Sequence, residues 1–197
     1  MLCGSCWAIA TASVINDAFI INGPKVGINW DPKISTTWSL SCYPQNQCAG
    51  GNPAMLLSSI QAEGIGSQHC VDYAWCADNP DCNGKGEKHF VDGAKMSKLI
   101  PPCGCYSKGQ HYIYKIKDAK LLYIGAKGIT ESNVASVVKK HIYLYGPVLA
   151  GFIVYKNFIK ADFIDDLYLE RLQHENGKVI FRDNTSDDFV GAHLISV

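Results

Sequence analysis

From Trp7 to Ile21 the chain is apolar with few interruptions, Asn16 and Asp17 among them. A run of that length and composition predicts a helix buried on nearly all sides. Gly23-Pro24 and Asp31-Pro32 mark the loop that follows. Asn52-Pro53 reads as an N-cap with proline at the first helical position. It predicts a second helix through Met55, Leu56, Leu57 and Ile60, ending near Gly64. Residues 65 to 110 hold five of the cysteines, with Pro80, Pro101 and Pro102, and read as loop stapled by disulfides. The pattern then changes. Tyr112, Tyr114 and Ile116 alternate as in a half-exposed strand. Thr130-Glu131 predicts the cap of a helix carrying Val134, Val137, Val138 and Ile142. Residues 148 to 154 predict a buried strand, 178 to 182 and 193 to 197 two more, with 156 to 190 taken as largely loop. Helices first and strands afterwards predict an α+β fold. We expect one domain over residues 1–197, with a helical, cysteine-rich part at 1–110 and a strand-rich part at 111–197.

Composition narrows the classes of partner. Eighteen basic residues balance eighteen acidic ones in no long run, which argues against nucleic acid or an anionic membrane. The uncharged stretch 142–155 is broken by Gly146-Pro147 and is too short to span a bilayer. No secretory signal opens the chain, which reads as a mature-like fragment or a cytosolic start. Hydrophobic residues make up 47% of the 197, enough for a sizeable core. Nine cysteines fit one free thiol and four bridges, and so an oxidising compartment. The plainer alternative is a reduced intracellular protein with buried thiols. Asn184-Thr185-Ser186 matches a glycosylation acceptor, a triplet that also arises by chance.

The chemistry concentrates at Cys3-Gly4-Ser5-Cys6-Trp7-Ala8. Cys6 falls in the first turn of the apolar helix, where free backbone N–H groups and the helix dipole favour a thiolate. It is therefore a candidate nucleophile. Six histidines compete to be its base. His141 lies 135 residues downstream, at the Lys139-Lys140-His141 end of an amphipathic helix, an ordinary place for a solvated histidine. His193 lies 187 residues downstream, between Ala192 and the strand-like Leu194-Ile195-Ser196-Val197. His69, His89, His111 and His174 read as surface groups. Two other chemistries use the same cysteines. Cys3 and Cys6 could form a dithiol redox pair, although Trp7 follows the motif and no strand precedes it. Cys3 and Cys6 with Cys103 and Cys105, or with Cys76 and Cys82, could hold structural zinc, but the spacings are poor.

Cys3 to Trp7 fit the nucleophile signature C-G-[SA]-C-[WY] at every position, and the chain resembles the papain family of cysteine peptidases. Leu40-Ser41-Cys42, with Ser41 in place of the usual aspartate, Cys48-Ala49-Gly50-Gly51-Asn52, Gly146-Pro147-Val148 and Gly191-Ala192-His193 extend the resemblance over the chain. Within the family the loop cysteines, including Cys103-Gly104-Cys105, are most similar to those of cathepsin X. The resemblance implies a two-lobed papain-like fold with a cleft between the lobes. It implies a thiol protease with Cys6 as nucleophile, His193 as base, and a thioester intermediate. It implies that Gly50 and Gly51 meet substrate backbone, and that Pro53, Gly151, Ala192 and Leu194 line an apolar pocket for the second residue before the cut. It pairs Cys3 with Cys48, and Cys42 with Cys70, Cys76 or Cys82. The family's oxyanion-hole glutamine and histidine-orienting asparagine would fall before Met1 and after Val197, so the domain reads as truncated at both ends. No metal and no cofactor is implied. The implied partners are a peptide or protein substrate and a pro-segment or protein inhibitor, with the enzyme a monomer. The implied compartment is lysosomal, vacuolar or secreted. Endopeptidase and exopeptidase action stay open, and a peptide-binding relative without catalysis is the alternative.

Overall fold

The computed structural model describes residues 4–43, 45, 47–71, 100–109, 111–120, 128–156, 158, 172–175, 178–181 and 189–197, with 172–175 and 178–181 described through the backbone alone. The chain forms two compact units, Met1–Leu149 with Ile195–Val197, and Ala150–Leu194.

In the first unit, helix α1 spans Cys6–Asn22 and packs against α2, Thr36–Cys42, and α3, Pro53–Ala62. Trp7, Ala8 and Ile15 of α1, Leu40 of α2, and Leu56 and Ile60 of α3 meet in one buried core, joined by Ile34, Tyr43 and Ile65. Burial of α1 is less complete than its composition predicts, because Ile9, Ile20 and Ile21 stay about half exposed. A uniformly apolar helix carries no stripe to show which face turns outward.

The expected cap of α3 is present: Asn52 Oδ1 accepts from Ala54 N at 2.9 Å and Met55 N at 3.4 Å. Helix α2 lies where no helix was predicted. Ser35 Oγ accepts from Trp38 N at 3.1 Å and donates to Val71 O at 2.7 Å, so one buried hydroxyl both caps α2 and ties it to the loop at 71. Strand β1, Ile65–Gly66, pairs antiparallel with β2, Ile113–Tyr114, much shorter than the strand expected at 112–116. Lys115 Nζ donates to Ala62 O and Gln61 Nε2 to Lys117 O, binding the end of α3 to the segment after β2. Helix α4, Val134–Tyr145, begins three residues later than predicted, because Asn133 turns its side chain back to Thr130 N and Gly128 O. Cys42 bonds to Cys103, not to Cys70, Cys76 or Cys82, and Cys70 bonds to Cys105.

The second unit holds most of β3, Leu149–Tyr155, and of β6, Phe189–Ser196, which form a two-stranded sheet. Beyond their ends Val148 and Val197 exchange both backbone hydrogen bonds, the mark of an antiparallel pair. β3 is half exposed in alternation rather than buried, with Ile153 turned outward, and among the described residues it has one partner strand in this sheet. The predicted strand at 178–182 is β5, Lys178–Phe181, and it pairs with β4, Leu172–Glu175, so the expected loop at 156–190 contains a hairpin. β6 starts four residues before the predicted strand at 193. No helix among the described residues is long and apolar enough to cross a membrane.

Candidate active site

Cys6 is the first residue of α1, and it is the free cysteine among the described residues. It is half-buried between the buried Ser5 and Trp7. Ser5 stands at the N-cap without a side-chain capping bond, so its hydroxyl does not occupy the first-turn N–H groups. Ala8 N and Ile9 N donate to Ser5 O at 2.9 and 3.0 Å, so it is the N–H groups of Cys6 and Trp7 that the helix start can offer to negative charge.

The glycine segment is built onto this helix start. Trp7 Nε1 donates to Gln47 O at 3.1 Å, and Gly4 N donates to Cys48 O at 2.6 Å. A Cβ at Gly4 would come within 2.8 Å of that carbonyl, so only glycine allows the approach without a shift. Gly51 lies on the Trp7 indole so closely that a Cβ would run into the ring. Gln45 fixes the next residue from the other side: its Oε1 accepts from Asn52 N at 2.6 Å and its Nε2 donates to Asn52 O at 3.3 Å. Gly50 has φ +103° with open space around its Cα. The structure thus gathers Cys6, Gly50, Gly51 and Pro53 at adjoining ends of α1 and α3. Gln45 escaped the sequence reading, because nothing local marks an amide that binds a backbone seven residues on.

Of the disulfide residues, Cys42 and Cys48 are both bonded, while Cys3, the expected partner of Cys48, lies outside the described residues. Ser41, at the position where an aspartate was expected, turns its hydroxyl back to Thr37 O at 2.8 Å within α2.

His193 stands on β6 in the second unit, half-buried, its ring edge-to-face on Phe152 with centroids 5.7 Å apart. Phe152 also packs on Phe158 at 5.1 Å. Gly151 faces Leu194, whose Cδ1 lies 3.5 Å from where a Cβ would be, while Ala192 is exposed. His141, the other candidate base, is on α4 with its ring 5.1 Å from that of Tyr145. His69 is exposed, as expected of a surface group, and His111 is half-buried; both line a cleft. His89 and Asn184 lie outside the described residues, and the side chain of His174 with them.

The sequence profile of the papain family cysteine proteases matches residues 1–163. The chain belongs to that family. The match includes Cys6 and the glycine segment and stops before His193. Among relatives, the chain is 44% identical over 207 residues to the probable cysteine proteinase 024R of Invertebrate iridescent virus 3, covering 100% of this chain and 41% of that protein. It is 25% identical over 179 residues to cathepsin Z of Onchocerca volvulus, covering 90% and 50%. The cathepsin-like character expected from the loop cysteines agrees with this papain-family kinship. The solved structure of proCathepsin B S9 from Trypanosoma congolense superposes with a TM-score of 0.63 at 24% identity, covering 98% of this chain and 52% of that one. That likeness shows the papain-like α+β fold. The chain spans half or less of the length of these curated relatives.

Proposed function

We propose that this chain is the catalytic domain of a thiol protease, with residues 1–110 carrying the nucleophile and residues 111–197 carrying the base. The observation that carries the reading is Cys6: a free thiol at the start of a core-packed helix with no side-chain cap, inside the segment matched by the family. In this mechanism the Cys6 thiolate attacks a peptide carbonyl while His193 holds the proton as imidazolium. His193 passes that proton to the leaving amine, and a thioester remains on Cys6. Water activated by His193 then hydrolyses the thioester and frees the enzyme. The Cys6 backbone N–H stabilises the oxyanion. Gly50 and Gly51 lie against extended substrate backbone, which the open space at Gly50 supports.

The test is mass spectrometry after incubation with the epoxide inhibitor of papain-like enzymes under mild reductant. One adduct on the Cys6 peptide, lost in His193→Ala and retained in His141→Ala, is expected. A folded, disulfide-bonded chain that takes no adduct overturns the proposal and leaves a peptide-binding relative as the better account.

Substrate selection is the second part of the proposal. Pro53, Gly151, Ala192 and Leu194 are small or apolar and form the walls for the second residue before the cut. Fluorogenic peptides with Leu, Val or Phe at that position are expected to be cleaved at least about tenfold faster than those with Arg, as a lost apolar contact costs about 1–3 kcal/mol. Preference for Arg would refute the assignment. Peptide or protein substrate is the partner so implied, with a pro-segment or protein inhibitor as further ligands. The disulfides Cys42–Cys103 and Cys70–Cys105 support a lysosomal, vacuolar or secreted setting.

A further inference from the structure

Cys70, Cys105 and His111 lie together in the first unit, 35 and 41 residues apart along the chain. Their ligand atoms, two sulfurs and an imidazole nitrogen, are all within 4.8 Å of one another. In the oxidised chain the two sulfurs are bonded to each other. We propose that reduction of Cys70–Cys105 turns this cluster into a zinc site, with both thiolates and His111 as ligands.

Three observations support a site that survives loss of the disulfide. Tyr106 N donates to Cys70 O at 2.8 Å, so backbone hydrogen bonding holds the two cysteine segments together independently of sulfur. Cys70 is itself anchored, because Cys70 N and Val71 N both donate to Ser67 O, and Ser35 Oγ donates to Val71 O. Ser107 Oγ lies 3.3 Å from His111 Nδ1 and 3.8 Å from Cys105 Sγ, an outer partner able to steady both ligands. Solvent reaches the cluster at the half-buried His111 and Cys105, whereas Cys70 is buried. His111 and His69 line a cleft of about 310 Å³, and the His69 ring is 6.2 Å from that of His111. Three protein ligands leave the fourth tetrahedral position to water. Two soft thiolates with one imidazole select zinc over magnesium or calcium.

The chemistry balances with a thiol reductant of the glutathione class. One reductant thiolate attacks the half-buried Cys105 sulfur, breaks the S–S bond and forms a mixed disulfide while Cys70 leaves as a thiolate. A second reductant thiolate displaces Cys105 and departs within the oxidised reductant. Two electrons have then entered the protein, and two protons complete the thiols. Zinc binding forms two metal–sulfur bonds and one metal–nitrogen bond, and releases those two protons to solvent. The strip 67–71 thus stays fastened to 103–111 in either redox state, by sulfur–sulfur or by metal.

The experiment titrates Co(II), as an optical stand-in for zinc, into the full chain with and without a phosphine reductant. Reduced protein is expected to develop thiolate charge-transfer and tetrahedral ligand-field absorption that Zn(II) displaces, and oxidised protein to show neither. Cys70→Ser with Cys105→Ser should abolish the signal, and His111→Ala should weaken Co(II) binding at least about tenfold. An unchanged titration in the double serine variant overturns the proposal, since other cysteines would then hold the metal. Circular dichroism covers the case in which reduction unfolds the chain: regain of structure on adding Zn(II), absent in the double variant, is the supporting result. A reduced chain left unfolded by saturating Zn(II), or folded without binding Co(II), refutes it.

Discussion

At the scale of single residues, the candidate site depends on two neighbouring glycines with different jobs. Gly51 is pressed on the indole of Trp7, which is itself buried and held through Nε1 to Gln47 O. A methyl group there has to displace a ring anchored by packing and by a hydrogen bond. Gly50 has free space, and its φ of +103° is the whole obstacle to a side chain. Gly51→Ala is therefore expected to lower stability by about 1–3 kcal/mol, the usual cost of overpacking. It should also slow inhibitor capture by Cys6, because the ring it pushes belongs to the next residue. Gly50→Ala should cost about 1 kcal/mol through backbone strain and leave the indole in place. Urea midpoints and Trp fluorescence of the two variants check this. Equal midpoint shifts with unchanged fluorescence in both would show that the indole yields freely.

At the scale of elements, what could be read from the sequence was what local chemistry determines. Helix α3 was legible because Asn52 and Pro53 state its start within two residues, and α1 because fifteen residues of apolar chain exceed the length of a strand. Helix α2 was not, since Thr36, Thr37, Ser39 and Cys42 are poor helix formers and it is held by the Ser35 cap and by packing on α1. The boundary of α4 was missed by three residues because Thr130 looks like a cap, while Asn133 makes the turn that fixes the helix start. Burial of β3 was overestimated for a related reason: apolar, branched residues specify a strand, but the number of neighbours that cover it depends on chain far away. The same division runs through the chemistry. Cys6 and its glycine segment could be found from short motifs. The pairing of Cys42 with Cys103 spans 61 residues, and the meeting of Cys70, Cys105 and His111 is set by β1, β2 and the backbone bond at Tyr106. Neither leaves a mark in local sequence.

At the scale of the whole molecule, Tyr43 links α2 to the end of α3 and makes stability depend on alkaline pH. It is buried just beyond α2, and its hydroxyl donates to Gly64 O. Burial pushes its phenol from the ordinary 10 up to about 12; a hydrogen bond from Trp38 pulls slightly the other way, and the charge of Glu63 adds to the rise. Below pH 10 the phenol is protonated in both folded and unfolded chains, and the stabilisation it brings is fully present. Between 10 and about 12 the unfolded chain gives up the proton while the folded chain keeps it. The unfolded state then binds fewer protons, so stability falls as pH rises through that window. Lysines titrate there too, so the contribution of Tyr43 is isolated by difference. Tyr43→Phe should be less stable than wild type at neutral pH by about 1 kcal/mol, the net worth of the lost hydrogen bond and the carbonyl left behind. Its decline between pH 10 and 12 should be shallower, so that the two stability curves converge. Urea unfolding across that range measures both slopes, and parallel curves would show that the Tyr43 phenol titrates alike in the folded and unfolded chains.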